Sequence, residues 1–245
     1  PWMEWQNSDR LWILKLERRQ KSWQMYHADV VTGRTHPGMK ESDPEGWVEL
    51  HDGNRILSNG HFIHISERDG YQHIYIERPT GRFAIPVTNG RWEVKNIIHV
   101  DEKKDIIFFT ANRRSVLDNH LYSIRFDGTE LTLLTPEPGV HRVSMNSTGT
   151  GFIDSYSSVD QPPRIVYRNI NGELIRVIGT TDEEQVKSQD ISIPKIVRFP
   201  TSDGETVLNG VITYPVNYEP GVAYPLIVYG YGMPGTQIVW NRWSS

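Results

Sequence analysis

Short strand-like runs of apolar residues, separated by polar turns, follow one another along most of the chain. Four of these runs lead into a turn that contains glycine, at residues 23–31, 72–77, 120–126 and 164–170. A second run lies upstream of each, at residues 11–16, 61–66, 105–110 and 151–156. Helical periodicity is nearly absent. The pattern therefore predicts a mostly β protein built from hairpins.

The turn glycines recur at a regular spacing. Gly33, Gly81, Gly128 and Gly172 are separated by 48, 47 and 44 residues. Glycine suits such turns because it adopts a positive φ without steric cost. A period of about 40–50 residues with several short strands per unit is typical of β-propeller blades. We predict about four blades over residues 1–190, as half of a larger ring, with an irregular β-sandwich as the alternative.

The pattern changes near residue 190. Residues 180–189 are acidic and predict a short helix or an acidic loop, and Ser202-Asp-Gly204 predicts a hairpin between runs at 194–199 and 207–214. The apolar run that begins at Tyr224 predicts a buried strand leading into a glycine-rich loop. A hairpin followed by a buried strand commonly starts an α/β-hydrolase sheet, so residues 191–245 are expected to open such a domain.

Composition narrows the possible partners. The net charge of −4 and the lack of a broad basic face give no reason to expect nucleic acid, and no apolar run is long enough to span a membrane. Without cysteine, disulfides and thiolate metal sites are excluded. His61 and His64 are three apart in a predicted strand, so they point to opposite faces and are not expected to share a metal ion. No cofactor is predicted.

Four segments, in this order along the chain, carry a family likeness: Gly46-Trp-Val48, residues 66–74, Gly90-Arg-Trp-Glu-Val94 and residues 224–237. Together they resemble the dipeptidyl peptidase IV family of serine exopeptidases. In that family an eight-bladed propeller precedes an α/β-hydrolase domain. The resemblance implies that residues 1–190 are the C-terminal half of the propeller and that the chain is an excerpt of a longer polypeptide.

The family's catalytic serine lies in a Gly-x-Ser-x-Gly elbow, and the chain order is Ser, then Asp or Glu, then His. No such pentapeptide occurs here, and all nine histidines lie at or before His141. The triad is therefore not contained in this chain, and whether the chain is an enzyme by itself stays open. By resemblance, the hydroxyl of Tyr231 assists the oxyanion hole; Tyr229 is the neighbouring alternative.

The resemblance also concerns substrate and setting. It implies a peptide substrate with a free N-terminus, cleaved to release short N-terminal peptides, often after proline. The glutamate pair that binds this terminus in the family has no match here, and Glu183-Glu184 resembles it in spacing only. Arg55 is a candidate substrate-binding residue, with an ordinary surface charge as the alternative.

For the parent protein the resemblance implies a homodimer and an exported location, periplasmic or at the cell surface. Two alternatives to the peptidase hypothesis stay open. One is a non-catalytic propeller module that binds protein or glycan. The other is a relative of prolyl oligopeptidase or acylaminoacyl peptidase.

Overall fold

The computed structural model describes residues 2–79, 84–233 and 235–243. In this part of the chain, four sheets each contain four strands, and every strand is hydrogen-bonded to the next in sequence. The first sheet consists of β1 (Trp2–Trp5), β2 (Arg10–Leu16), β3 (Ser22–Asp29) and β4 (Thr35–Ser42). The second consists of β5 (Arg55–Ile56), β6 (Phe62–Ser66), β7 (His73–Glu77) and β8 (Ala84–Pro86).

The third sheet consists of β9 (Val94–Asp101), β10 (Ile106–Ala111), β11 (His120–Arg125) and β12 (Thr132–Leu133). The fourth consists of β13 (Val140–Met145), β14 (Gly151–Ser157), β15 (Arg164–Asn169) and β16 (Leu174–Thr180). They are followed by a helix, α1 (Glu183–Ser188), and by an antiparallel pair, β17 (Lys195–Pro200) and β18 (Val207–Ile212).

The predicted hairpins are confirmed where the structure describes them. The eight predicted runs form the second and third strand of each sheet. Gly33, Gly128 and Gly172 follow the third strands with φ of +68°, +81° and +84°. Gly81 lies outside the described residues. The predicted short helix is also confirmed as α1, whose first turn is capped by Asp182.

The chain forms two compact units. One contains the residues up to Arg113 together with Leu121–Leu133; the other contains Arg114–His120 and the residues from Leu134 onward. The predicted boundary near residue 190 stays a prediction.

The core of the first unit explains why β6 is buried along its whole length. Phe62 belongs to an apolar cluster with side chains of the first sheet, including Trp12 and Trp23. Ile63 and Ile65 belong to a second cluster formed by the second and third sheets. Alternate residues of a strand point to opposite faces, so this strand contributes to both clusters.

The predicted buried strand beginning at Tyr224 is wrong for this chain. Residues 213–233 contain neither strand nor helix, and Leu226, Ile227 and Val228 are 82%, 94% and 81% exposed. A strand requires a neighbour to satisfy its backbone groups, and no described strand pairs with this segment. An α/β-hydrolase domain is accordingly not present in the described part of this chain.

Candidate functional site

Tyr231 lies in the glycine-rich loop of the second unit, and its side chain is 52% exposed. Its hydroxyl donates to the sulfur of Met233 at 2.8 Å. A thioether is a weak acceptor, so a developing oxyanion would compete effectively for this proton. The geometry is therefore compatible with a donor role, because the hydroxyl is accessible and its present partner is easily replaced.

The chain after this loop is fastened to the turn that precedes β11. The side-chain amide of Gln237 donates to the carbonyl of Val116 at 2.7 Å. The backbone N–H of Asn241 donates to the carbonyl of Leu117 at 2.9 Å, and its side-chain amide donates to Asp118 Oδ1 at 2.9 Å. The loop that carries Tyr231 therefore has a fixed C-terminal end.

Asp118, which accepts the Asn241 amide, is a buried carboxylate held by further hydrogen bonds. Burial by itself would raise its pKa, but hydrogen bonds with His120 and Asn241 hold the pKa of Asp118 below its ordinary value. His120 is in turn positioned by the carbonyl of Thr135, 2.8 Å from Nδ1. The acceptor that receives the Asn241 amide is thus charged and oriented.

Arg55, the other predicted site residue, lies in β5 of the first unit and is half-buried. Its Nη2 donates to the carbonyl of Ile98 at 3.4 Å. Burial raises the pKa of the nearby Glu4 carboxyl, and the charge of Arg55 opposes that rise. Arg55 therefore links the second sheet to the third, and its role in substrate binding stays a prediction.

A charged cluster that the sequence did not predict joins the first and second sheets. Arg68 Nη2 lies 2.7 Å from Glu77 Oε1 and 3.2 Å from Glu41 Oε2. His64 Nε2 lies 3.0 Å from the same Glu77 oxygen, and Ser66 donates to Glu41 at 2.5 Å. Each charge has a partner within the cluster, so we assign it to joining the sheets.

Arg68 falls within a segment that carried the family likeness, but its partners could not be read from sequence. Glu41 is 27 residues away, on a strand of another sheet. His61 lies before β6, whereas His64 is buried within it. Among the described residues, no group of three or more His, Asp or Glu side chains is arranged to hold a metal ion.

A second buried cluster lies within the fourth sheet. His141 Nδ1 is 2.9 Å from Asp154 Oδ1, and Nε2 is 2.9 Å from the carbonyl of Glu137. Arg168 binds the other oxygen of Asp154 at 3.1 Å. A general base needs an unoccupied nitrogen within reach of a substrate proton. The fully buried His141 has both nitrogens against acceptors, so this pair does not form a catalytic dyad.

A pocket of about 550 Å³ in the first unit is lined by Trp92 and Arg113, among others. The Trp92 ring stacks on Phe109, with centroids 6.3 Å apart, and meets His73 edge-on at 5.0 Å. Trp92 therefore belongs mainly to the core.

Within the described residues, no helix is long and apolar enough to cross a membrane.

Comparison with known proteins gives a consistent result. A family model described as the N-terminal region of dipeptidyl peptidase IV matches residues 1–163. A dipeptidyl peptidase 4 of Trichophyton rubrum is 30% identical over 211 residues, covering 82% of this chain and 27% of the relative. A probable dipeptidyl peptidase 4 of Emericella nidulans is 24% identical over 247 residues, covering 95% of this chain and 32% of the relative.

A solved structure shows the same fold. The crystal structure of Porphyromonas gingivalis dipeptidyl peptidase 4 matches with a TM-score of 0.88 at 22% identity. The match covers 98% of this chain and 34% of that chain. This chain thus spans about a third or less of the length of the proteins it resembles.

Proposed function

The chain belongs to the dipeptidyl peptidase IV family, and from that premise we propose that it is one part of a serine exopeptidase that releases short peptides from the N-terminus of its substrates. The family match over residues 1–163 carries the proposal. Relatives named dipeptidyl peptidase 4 align over most of the chain and support it.

We propose that residues 1–190 form four blades of a larger propeller. Four successive sheets of four sequential strands support this assignment, since such a sheet is the unit of a propeller. We further propose that residues 191–245 open the hydrolase domain of the full-length protein. There, the apolar run from Tyr224 would gain the strand neighbours that it lacks in this chain.

The proposed chemistry is acyl transfer. A serine attacks the substrate carbonyl, a histidine accepts its proton, and a carboxylate orients the histidine; these groups belong to residues beyond this chain. The hydroxyl of Tyr231 would donate a hydrogen bond to the oxygen on which negative charge develops. It would exchange its weak bond to Met233 for a charge-assisted one, which favours the tetrahedral intermediate over the bound substrate.

The experiment compares Tyr231→Phe with Tyr229→Phe in the full-length protein, using a Gly-Pro chromogenic substrate. Loss of one oxyanion donor should lower kcat by roughly 10²–10³-fold and leave KM nearly unchanged, because the donor acts on charge that is absent from the bound substrate. Tyr229→Phe makes the same chemical change two residues away and should retain the activity.

Equal losses in the two variants would contradict the role assigned to Tyr231. The 245-residue chain by itself should not hydrolyse the substrate, since no triad can be assembled from it. Measurable hydrolysis by the chain alone would contradict the assignment of the triad to other residues. An inactive full-length protein that still binds a partner would favour the non-catalytic module.

A further inference from the structure

The hydrogen bonds described for residues 213–236 join residues of that same segment. Tyr224 donates to the carbonyl of Asn217 at 3.2 Å, and the N–H of Thr236 donates to the carbonyl of Met233 at 3.0 Å. Hydrogen bonds from this stretch of the chain to other parts of the unit begin at Gln237 and are densest at Asn241. The position of the loop is therefore set from its C-terminal side.

Asn241 uses both ends of its side-chain amide as well as its backbone. The amide nitrogen donates to Asp118 Oδ1 at 2.9 Å, and the amide oxygen accepts from the N–H of Val159 at 3.1 Å. Aspartate at this position would have no donor and would bring a second carboxylate against Asp118. The contact thus requires an amide rather than any small polar residue.

The turn that receives these contacts is held by hydrogen bonds of its own. Asp118 and Leu117 lie in a turn that is held by Ser115, whose carbonyl accepts from Asp118 N–H at 3.1 Å and whose Oγ accepts from Leu117 N–H at 3.2 Å. Gln237 reaches Val116 of the same turn. Two side chains four residues apart therefore bind the same hydrogen-bonded turn, and Val159 adds a contact from the loop after β14.

We propose that Asn241 is a positioning residue, which locks the loop bearing Tyr231 onto the turn at residues 115–118 and so places the oxyanion donor. The inference rests on the proposed peptidase function. Asn241 lies ten residues beyond Tyr231 and acts through the loop rather than on the substrate. A displacement of about 1 Å at a reacting group costs roughly 100-fold in rate, which makes such a fastening consequential.

The test uses Asn241→Asp in the full-length protein, with Asn217→Asp as the matched control, since Asn217 is an exposed asparagine of the same segment. Asn241→Asp should lower kcat on the Gly-Pro substrate by roughly 10–100-fold with KM within about twofold. The double variant Asp118→Asn with Asn241→Asp swaps the two groups. It again places one amide against one carboxylate and should recover most of kcat. Asn217→Asp should behave as the unmodified protein.

Hydrogen exchange of residues 230–243 reads the fastening without reference to activity. It should speed up in Asn241→Asp and return towards normal in the double variant. Unchanged exchange and kcat in Asn241→Asp, or a double variant no better than the single ones, would overturn the proposal. If Asn241→Asp fails to fold, Gln237→Leu removes the side-chain hydrogen bonds to the carbonyls of Val116 and Val239 and should still lower kcat and speed up exchange. Normal values for both would equally overturn the proposal.

A full-length protein without peptidase activity would defeat the proposed function. The exchange comparison would then still decide whether Asn241 fastens the loop.

Discussion

Glycine at the turns between third and fourth strands serves two purposes that sequence alone does not separate. Its positive φ allows the tight turn, as at Gly33, where no atom lies within 4 Å of the site of a Cβ. At Gly172 a Cβ would also overlap the carbonyl oxygen of Leu134. The turn role follows from local geometry and was predicted, whereas the close approach depends on a residue 38 positions away.

These two glycines give a matched pair of substitutions. Gly33→Ala should lower the free energy of unfolding by about 1–2 kcal/mol, the cost of a left-handed conformation for a residue with a Cβ. Gly172→Ala should cost a further ~1–3 kcal/mol, because the backbone must shift to relieve the overlap. Denaturant unfolding of the chain measures both, and equal costs would show that the contact with Leu134 is unimportant.

Glu77 should make the stability of the chain depend on pH. Burial by itself would raise its pKa, but hydrogen bonds and charge from His64 and Arg68 hold the pKa of Glu77 below its ordinary value of 4.5. A depressed pKa means that the contribution is complete above the unfolded value, near pH 4.5, and is lost as the pH falls through the folded value.

At pH 7, Glu77→Gln should lower the free energy of unfolding by about 1–3 kcal/mol, and the difference from the unmodified chain should shrink below pH 4.5. Unfolding curves between pH 7 and about pH 3.5 would show this. Glu219→Gln, at an exposed position, serves as the control. A difference that persists at the lowest pH would mean that Glu77 contributes by packing rather than by charge.

At the scale of elements, the inner strands were predictable and the outer strands were not. The second and third strands of each sheet carry long apolar runs that reveal them. Strands such as β5 and β12 have two residues each and β8 has three, so pairing with the inner strands defines them. The same dependence explains the failed strand at Tyr224, where the apolar run is present and the neighbour is not.

An isoleucine in each setting distinguishes sequence pattern from structure. Ile63 is fully buried in β6, whereas Ile227 is 94% exposed. In this chain, Ile63→Ala should cost about 2–5 kcal/mol of unfolding free energy, and Ile227→Ala should change it by less than about 0.5 kcal/mol. In the full-length protein the cost at Ile227 should rise towards the Ile63 value, as expected of a strand within the proposed hydrolase sheet. No rise would count against that placement.

At the scale of the whole molecule, the fold class followed from the glycine period, and the family followed from four short segments. The candidate site was harder to predict from the sequence. Tyr231 could be named from the resemblance, but its anchor depends on turns at residues 115–118 and 157–161, which are remote in sequence. Hydrogen bonds between irregular segments leave no periodic signal, so sequence reasoning did not find them.

The contrast between buried sheet residues and the exposed irregular segment also predicts where a protease cleaves the chain. Tyr229 is 79% exposed in irregular backbone, whereas Tyr75, Tyr122 and Tyr156 are buried in sheets. A protease specific for aromatic residues should therefore cleave the isolated chain first near Tyr229 and Tyr231. Mass spectrometry would identify the sites. The full-length protein should be protected there, and equally fast cleavage in both would argue that the segment stays unpaired.

The exposed run from Leu226 to Tyr231 also bears on how this polypeptide behaves at high concentration. These six residues carry no charge and no proline, and four of them are β-branched or aromatic residues that favour extended pairing. Segments of this kind join edge to edge with copies of themselves when nothing covers them. The colloidal stability of the isolated chain is therefore governed by one short unpaired segment, even though its four sheets are well formed.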